Sequence, residues 1–256
     1  MKQLVHLKST ITPSVTGGIR CPPLARVFLL VPLLLTMIAA APAARASIIP
    51  RDSSTSGGND YGDWSVLWWQ WLLSIPAATN PALDSTGANC GQKQAGPLWF
   101  LAGNFGGPAV TRDCTVPAGK SIFFPLFNAI FGAGVGDCSP TNPRVPCNLA
   151  DLRVAATASM DSVTLEADLD GSPLDVSNQR VQSPEFTVTY PNGNIVGVVR
   201  TGNVGRGTFM PNVGDGYWVM LTPLSPGSHT LHWRAEVNGG PFAGEVIEVT
   251  YHLTQE

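Results

Sequence analysis

Past residue 46 the sequence offers four cysteines, three histidines, seven tryptophans and a scatter of carboxylates as the side chains with the means to do chemistry. Cys90, Cys114, Cys138 and Cys147 lack the C-x2-C spacing of zinc sites. In an oxidising compartment an even set of separated cysteines most simply forms two disulfides. Of the three possible pairings, Cys90 with Cys114 and Cys138 with Cys147 closes the two most local loops, each bridge contributing about 2–4 kcal/mol. His229 and His232, three apart on a strand, point to opposite faces and cannot chelate one ion together. His232 shares a face with Thr230, Arg234 and Glu236, and His252 with Glu248 and Thr250. Were their strands adjacent, His232 and His252 could recruit Glu236 or Glu248 into a metal site. Arg234 beside them would repel a cation, so surface histidines are the simpler expectation, and no metal or other cofactor is assigned.

The carboxylates are dispersed. Asp63, Asp84, Asp113 and Asp137 fall near turns, helix starts or cysteines, where they cap backbone N–H groups. Asp168 and Asp170 precede Gly171 without the further oxygen ligands of a calcium loop. There is no G-x-S-x-G elbow and no H-E-x-x-H, and Gly119-Lys120-Ser121 lacks the first glycine of a phosphate-binding loop. A hydrolase would need a site of unrecognised form, with His232 or Asp84 as candidate members. Tryptophan is the stronger signal. Trp64, Trp68, Trp69, Trp71, Trp99, Trp218 and Trp233 bury large area before they do anything else, yet in secreted β-sandwiches exposed indoles also stack on sugars. Trp233 shares a face with Leu231 and Val237 and belongs to the core. Trp69, Gln70 and Trp218 are the residues expected to face a ligand, a glycan or envelope component being the candidate partner.

These groups must be positioned by a chain whose start reads as a secretory signal. Residues 27–41 are an apolar run behind basic residues, with Ala44-Arg45-Ala46 as the cleavage signal. Pro32 interrupts a stretch already short for a spanning helix. The organisation is therefore a signal peptide over 1–46, a Gly/Ser-rich flexible linker over 47–60, and one domain over 61–256, with no transmembrane span once the signal is cleaved. After residue 46 ten Lys and Arg face 18 Asp and Glu, a net charge of −8, which argues against a nucleic-acid surface. With 27 Gly and 22 Pro, turn-rich β structure is favoured over long helices.

Trp64, Leu67, Trp68, Trp71, Leu72 and Ile75 recur at helical spacing, Asp60 or Asp63 standing as N-cap and Pro76 ending the run. The back of this helix is apolar as well, so it is buried on several sides or covers a partner. A second short helix follows Asn148. Strands are expected at 97–101, 121–127, 163–169, 186–190, 195–199, 217–221, 229–237 and 246–253. Pro191-Asn192-Gly193-Asn194 predicts a hairpin between the fourth and fifth of these, and Ser225-Pro226-Gly227 a turn joining the sixth and seventh. The fold class is mainly β: an antiparallel sandwich, Ig-like or jelly-roll-like, with an N-terminal Trp-rich helix and one further short helix.

Trp64-x3-Trp68-Trp69-Gln70-Trp71, Gly96-Pro97-Leu98-Trp99-Phe100-Leu101-Ala102-Gly103, Cys114-Thr115-Val116-Pro117-Ala118-Gly119-Lys120, and Asp215-Gly216-Tyr217-Trp218 with Pro226-Gly227-Ser228-His229-Thr230 together resemble a group of secreted bacterial proteins of unknown function. The resemblance implies export and a shared fold and carries over no catalytic residue. Three classes of function are thus open: a non-enzymatic ligand-binding module, a secreted hydrolase, and a structural or assembly component of the envelope. The first is favoured by the aromatic surplus and the missing catalytic motifs. Oligomeric state is not legible in the sequence.

Overall fold

The computed structural model describes residues 46–53, 58–142, 144, 146–199 and 204–256. The expected signal peptide therefore lies, Ala46 apart, outside the described residues. Helix α1 spans Tyr61–Leu73. Its start is fixed by a reciprocal cap: the Asp63 N–H donates to Asp60 Oδ1 at 2.9 Å and the Asp60 N–H to Asp63 Oδ2 at 3.3 Å, satisfying groups that a helix start leaves open. Pro76, without an N–H, follows its end.

Strands β1 (Leu98–Phe100), β2 (Val110–Val116) and β3 (Ser121–Gly132) come next, then helix α2 (Leu149–Ala158) and strands β4 (Val163–Leu169), β5 (Ser172–Pro173), β6 (Arg180–Gln182) and β7 (Phe186–Tyr190). A one-turn helix α3 (Val196–Val199) precedes the long strands β8 (Gly207–Leu221), β9 (Gly227–Val237) and β10 (Val246–Gln255). One sheet runs β1-β3-β8-β6 with β7 also on β8, and the other runs β2-β10-β9-β4-β5. The central pairings are antiparallel, while β1 on β3 and β2 on β10 are parallel.

The two sheets face each other as a sandwich. Phe124, Val219 and Leu221 of the first meet Trp233, Val249 and Tyr251 of the second. The opposite face of the first sheet, through Phe123, Trp218 and Met220, carries α1. That makes three layers, with the first sheet buried on both sides, and explains why β3 reads as a nearly unbroken apolar run. The second sheet has one wet face, so β10 alternates: Ile247, Val249, Tyr251 and Leu253 are buried, whereas Glu248, Thr250 and His252 face outward. The chain itself covers α1 on several sides, so that Trp69 and Leu73 on its back are buried as well. Trp68 Nε1 donates to the Leu101 carbonyl at 2.9 Å, Trp71 Nε1 to that of Gln92 at 2.7 Å, and Asn80 Nδ2 to that of Leu72 at 2.8 Å.

Both disulfides join the local partners, Cys90 to Cys114 and Cys138 to Cys147. The first fastens the loop over α1 to β2, and the second closes the segment between β3 and α2. Among the described residues no helix is long and apolar enough to cross a membrane.

Two local expectations are corrected. The hairpin predicted across residues 191–194 does not form: β7 pairs with β8, and the next segment is α3. Asn194 explains this, its Oδ1 accepting from the Val196 N–H at 3.0 Å as a side-chain cap, which turns Ile195 and Val196 inward to bury. The turn expected at 225–227 does join β8 to β9, and it carries the chain from one sheet to the other, closing the sandwich. Of the linker expected over 47–60, the first residues run along β8, with the Ile49 N–H on the Met220 carbonyl at 2.8 Å and the Thr222 N–H on that of Ser47 at 2.9 Å.

Candidate functional site

Strand β1 is only three residues long and pairs with β3 no further than Phe123. Beyond it Pro125 removes a ladder donor and the register with β8 slips between Pro125 and Phe127; both features belong to sheet edges and bulges. Among the described residues no strand pairs with the remainder of β3 on the side away from β8. A cavity of about 180 Å³ lies along that open edge. Because it wraps the edge, it draws walls from both cores: Trp68, Trp69 and Leu72 of α1, and Leu126, Phe127 and Ala129 of β3. Phe105, 44% exposed, and Glu245 stand where it meets solvent. Burial against this apolar wall raises the pKa of the Glu245 carboxyl even though the residue as a whole is exposed.

The polar atoms at this cavity are sparse and unusual. The Trp69 indole N–H is buried and has no hydrogen-bond partner among the described residues, in contrast to Trp68 and Trp71 on the same helix. The Asn128 amide nitrogen and Asn104 Oδ1 are in the same state. Trp99 and Trp233 also have unmatched N–H groups, but neither lines the cavity, and Trp233 packs between Phe124 and Tyr251. Two glycines of β8 make room for this arrangement. A Cβ on Gly214 would lie 3.2 Å from Trp69 Nε1, and one on Gly216 would lie 2.7 Å from the Asn128 Cβ.

Of the residues expected to face a ligand, only Trp69 lines the cavity. Gln70 donates to the Thr187 carbonyl at 2.9 Å and so ties α1 to β7. Trp218 is 1% exposed, stacked on Phe123 at 5.1 Å between centroids. Its strand is covered on both faces, which the sequence pattern around residue 218 does not reveal. None of the seven tryptophans is exposed, so the flat indole platform that sugar stacking needs is not formed by them.

Arg112 is the residue that sequence reasoning missed. It is 1% exposed, and its guanidinium donates to the carbonyls of Asp84 (2.6 Å), Ala102 (2.6 Å), Gly103 (3.1 Å) and Ala82 (3.3 Å) and to the Tyr251 hydroxyl (3.0 Å). Ala82 and Gly103 line the cavity, so this one side chain fixes two of its walls. Burial pushes the Tyr251 phenol upward, keeping it neutral beside the guanidinium. The alternation of β2 puts Arg112 on the inward face with Cys114 and Val116, but no strand is expected from the sequence over 110–116, so nothing there sets Arg112 apart.

The histidines lie elsewhere, on the second sheet. His232 Nδ1 is 3.1 Å from Asp168 and its Nε2 3.6 Å from Glu248, while His252 Nδ1 is 3.2 Å from Asp113. Among the described residues no three His, Cys, Asp or Glu side chains converge on a point where an ion would sit. Asp84 is a turn residue, accepting from the Thr86 and Asn89 N–H groups at 2.8 and 2.7 Å; burial works against its charge, and these bonds outweigh it and hold the carboxyl below its usual range.

Ser225, His229 and Asp170 have the outline of a catalytic triad: Ser225 Oγ is 3.2 Å from His229 Nε2, and His229 Nδ1 is 2.7 Å from Asp170. The nearer neighbour of Nε2, however, is the Ser225 carbonyl at 2.9 Å. A carbonyl only accepts, so Nε2 carries a proton there and is not a base for the hydroxyl. Burial tends to lower the His229 pKa, but the bonds to Asp170 and the Ser225 carbonyl prevail and raise it. The group acts as a staple across the turn between the sheets.

No protein-family model matches the chain, and no curated protein or solved structure is detectably similar to it.

Proposed function

We propose that the protein is an exported, non-enzymatic binding module that takes a small apolar molecule into the cavity between α1 and the open edge of β3. The observation that carries this reading is the cavity itself: about 180 Å³ of apolar space that reaches the surface in a sandwich whose tryptophans are otherwise consumed by packing. Ligand sites are concave and mostly apolar, with a few polar groups to orient the guest. Export is supported by the leader-like sequence and by two disulfides, which persist in oxidising compartments. The aromatic surplus motivates a glycan partner less well than an apolar one, because sugars stack on exposed indole faces.

Toluene titration of the purified protein tests the cavity. A ligand at a hundred times its Kd stabilises the native state by about 2.7 kcal/mol, read as a rise in Tm, and Ala129→Leu, which fills the space, is expected to keep the fold and lose that rise. Equal stabilisation of the filled variant, or none of either protein, would contradict the reading. For export, amino-terminal sequencing of the protein recovered from its producing cell is expected to begin at Ser47.

A further inference from the structure

We infer that the ligand of this cavity is uncharged, has about the size of one six-membered ring, and carries a single acceptor such as a carbonyl oxygen that the Trp69 indole N–H meets. The inference rests on the reading that the cavity binds a ligand at all, and it names the chemical class. Size comes from volume: an engineered cavity of about 150 Å³ holds benzene, and this one measures about 180 Å³.

Charge comes from the walls. None of the described residues lining the cavity is Lys, Arg or His, so an anion would enter apolar space unpaired, which is strongly disfavoured. Among the described residues that line it, Glu245 is the one with a charge to offer a cation. It stands at the mouth, where an ammonium would keep its water and leave the interior unfilled.

The acceptor comes from Trp69. An indole nitrogen donates and never accepts, and a buried donor without an acceptor costs more than a hydrogen bond returns. The two neighbouring indoles on α1 discharge theirs on backbone carbonyls, and that of Trp69 does not. In this conformation its nitrogen is shut off from solvent, so contact with a guest requires the ring to tilt. The torsion that tilts an indole is soft, and Gly214 presents no side chain to hold Nε1 in place, where a Cβ would lie at 3.2 Å. Asn128, whose amide nitrogen is also unmatched, packs its Cβ against Gly216, the next same-face glycine of β8, and a carbonyl oxygen has two lone pairs to offer.

Four ring compounds of matched size decide the matter: cyclohexanone, methylenecyclohexane, cyclohexanecarboxylate and cyclohexylamine, titrated into the full domain and followed by NMR, with the Trp69 indole N–H resonance observed directly. Cyclohexanone is expected to bind about 2- to 10-fold tighter than methylenecyclohexane, the range one neutral hydrogen bond supplies, and to shift the Trp69 N–H downfield, with the acid and the amine weakest. In Trp69→Phe the ketone and the hydrocarbon are expected to bind alike; should that variant fail to fold, the indole shift in the unaltered protein decides. Equal binding of ketone and hydrocarbon, or preference for acid or amine, overturns this inference and leaves the cavity reading standing. Binding of none of the four removes both.

Discussion

Arg112 and His229 show how differently a cationic side chain can serve the same domain. Arg112 is surrounded by carbonyls, and its removal leaves several buried acceptors without a donor. Arg112→Ala is expected to cost about 3–5 kcal/mol in urea unfolding and to loosen the walls at Ala82 and Gly103; a loss under 1 kcal/mol would show that the guanidinium is dispensable. His229 works through its proton. Its native pKa lies above the ordinary 6.5, so the staple stabilises fully below about that value and fades as pH rises through the higher native one. His229→Ala should therefore lower Tm at pH 5 and change it far less at pH 9. The opposite trend would mean that the imidazole is held neutral and would reopen the Ser225–His229–Asp170 group as a base and its hydroxyl. The outward positions of His232 and His252 were legible from strand alternation, because side-chain direction on a strand follows from backbone geometry alone. The burial of Arg112 was not, since no strand is expected over 110–116 and the carbonyls that receive its guanidinium lie on loops at residues 82–84 and 102–103, elsewhere in the sequence.

Elements whose signals are local came through in the same way. Helix α1 begins at a reciprocal Asp cap and ends before Pro76, and α2 begins where Asn148 Oδ1 accepts from the Ala150 N–H at 3.0 Å. The cysteine pairs follow from loop closure. With sequence separations of 24 and 9, the chain-entropy model gives about 3.5 kcal/mol for Cys90–Cys114 and about 2.5 kcal/mol for Cys138–Cys147. Replacing each pair by serine should lower Tm in that order, and a reversed order would show that the closure of the longer loop is not what the first bridge contributes. What failed were elements decided by competition at a distance. Asn-Gly at 192–193 promises a hairpin, but β8 offers β7 a longer partner and Asn194 caps a helical turn instead. Likewise the glycines of β8 make sense only in space: Gly214 and Gly216 let Trp69 and Asn128 approach the sheet. Gly216→Ala places a Cβ 2.7 Å from that of Asn128 and should destabilise by about 1–3 kcal/mol, whereas an unchanged Tm would mean that the strands separate freely at this point.

Across the whole molecule, the layering follows from one asymmetry: the first sheet is apolar on both faces and the second on one. The first must therefore be sandwiched, with α1 supplying the third layer, and the wet face of the second holds the histidines and acids. The candidate site was only partly legible. Trp69 stood out as one of four tryptophans on a helix too apolar to be exposed, but Trp218 belongs to the packing under that helix, and Gln70 to its attachment. The cavity itself arises from the shortness of β1, the missing donor of Pro125 and the slip beside it, three small features that matter only once β3 is seen as an edge. Its most direct test is a crystal structure of the protein soaked with toluene. The account predicts difference density for one toluene molecule between the Trp69 indole and Ala129, with the sandwich core unchanged. Density found elsewhere alone, or a cavity left unoccupied at saturating toluene, would contradict it.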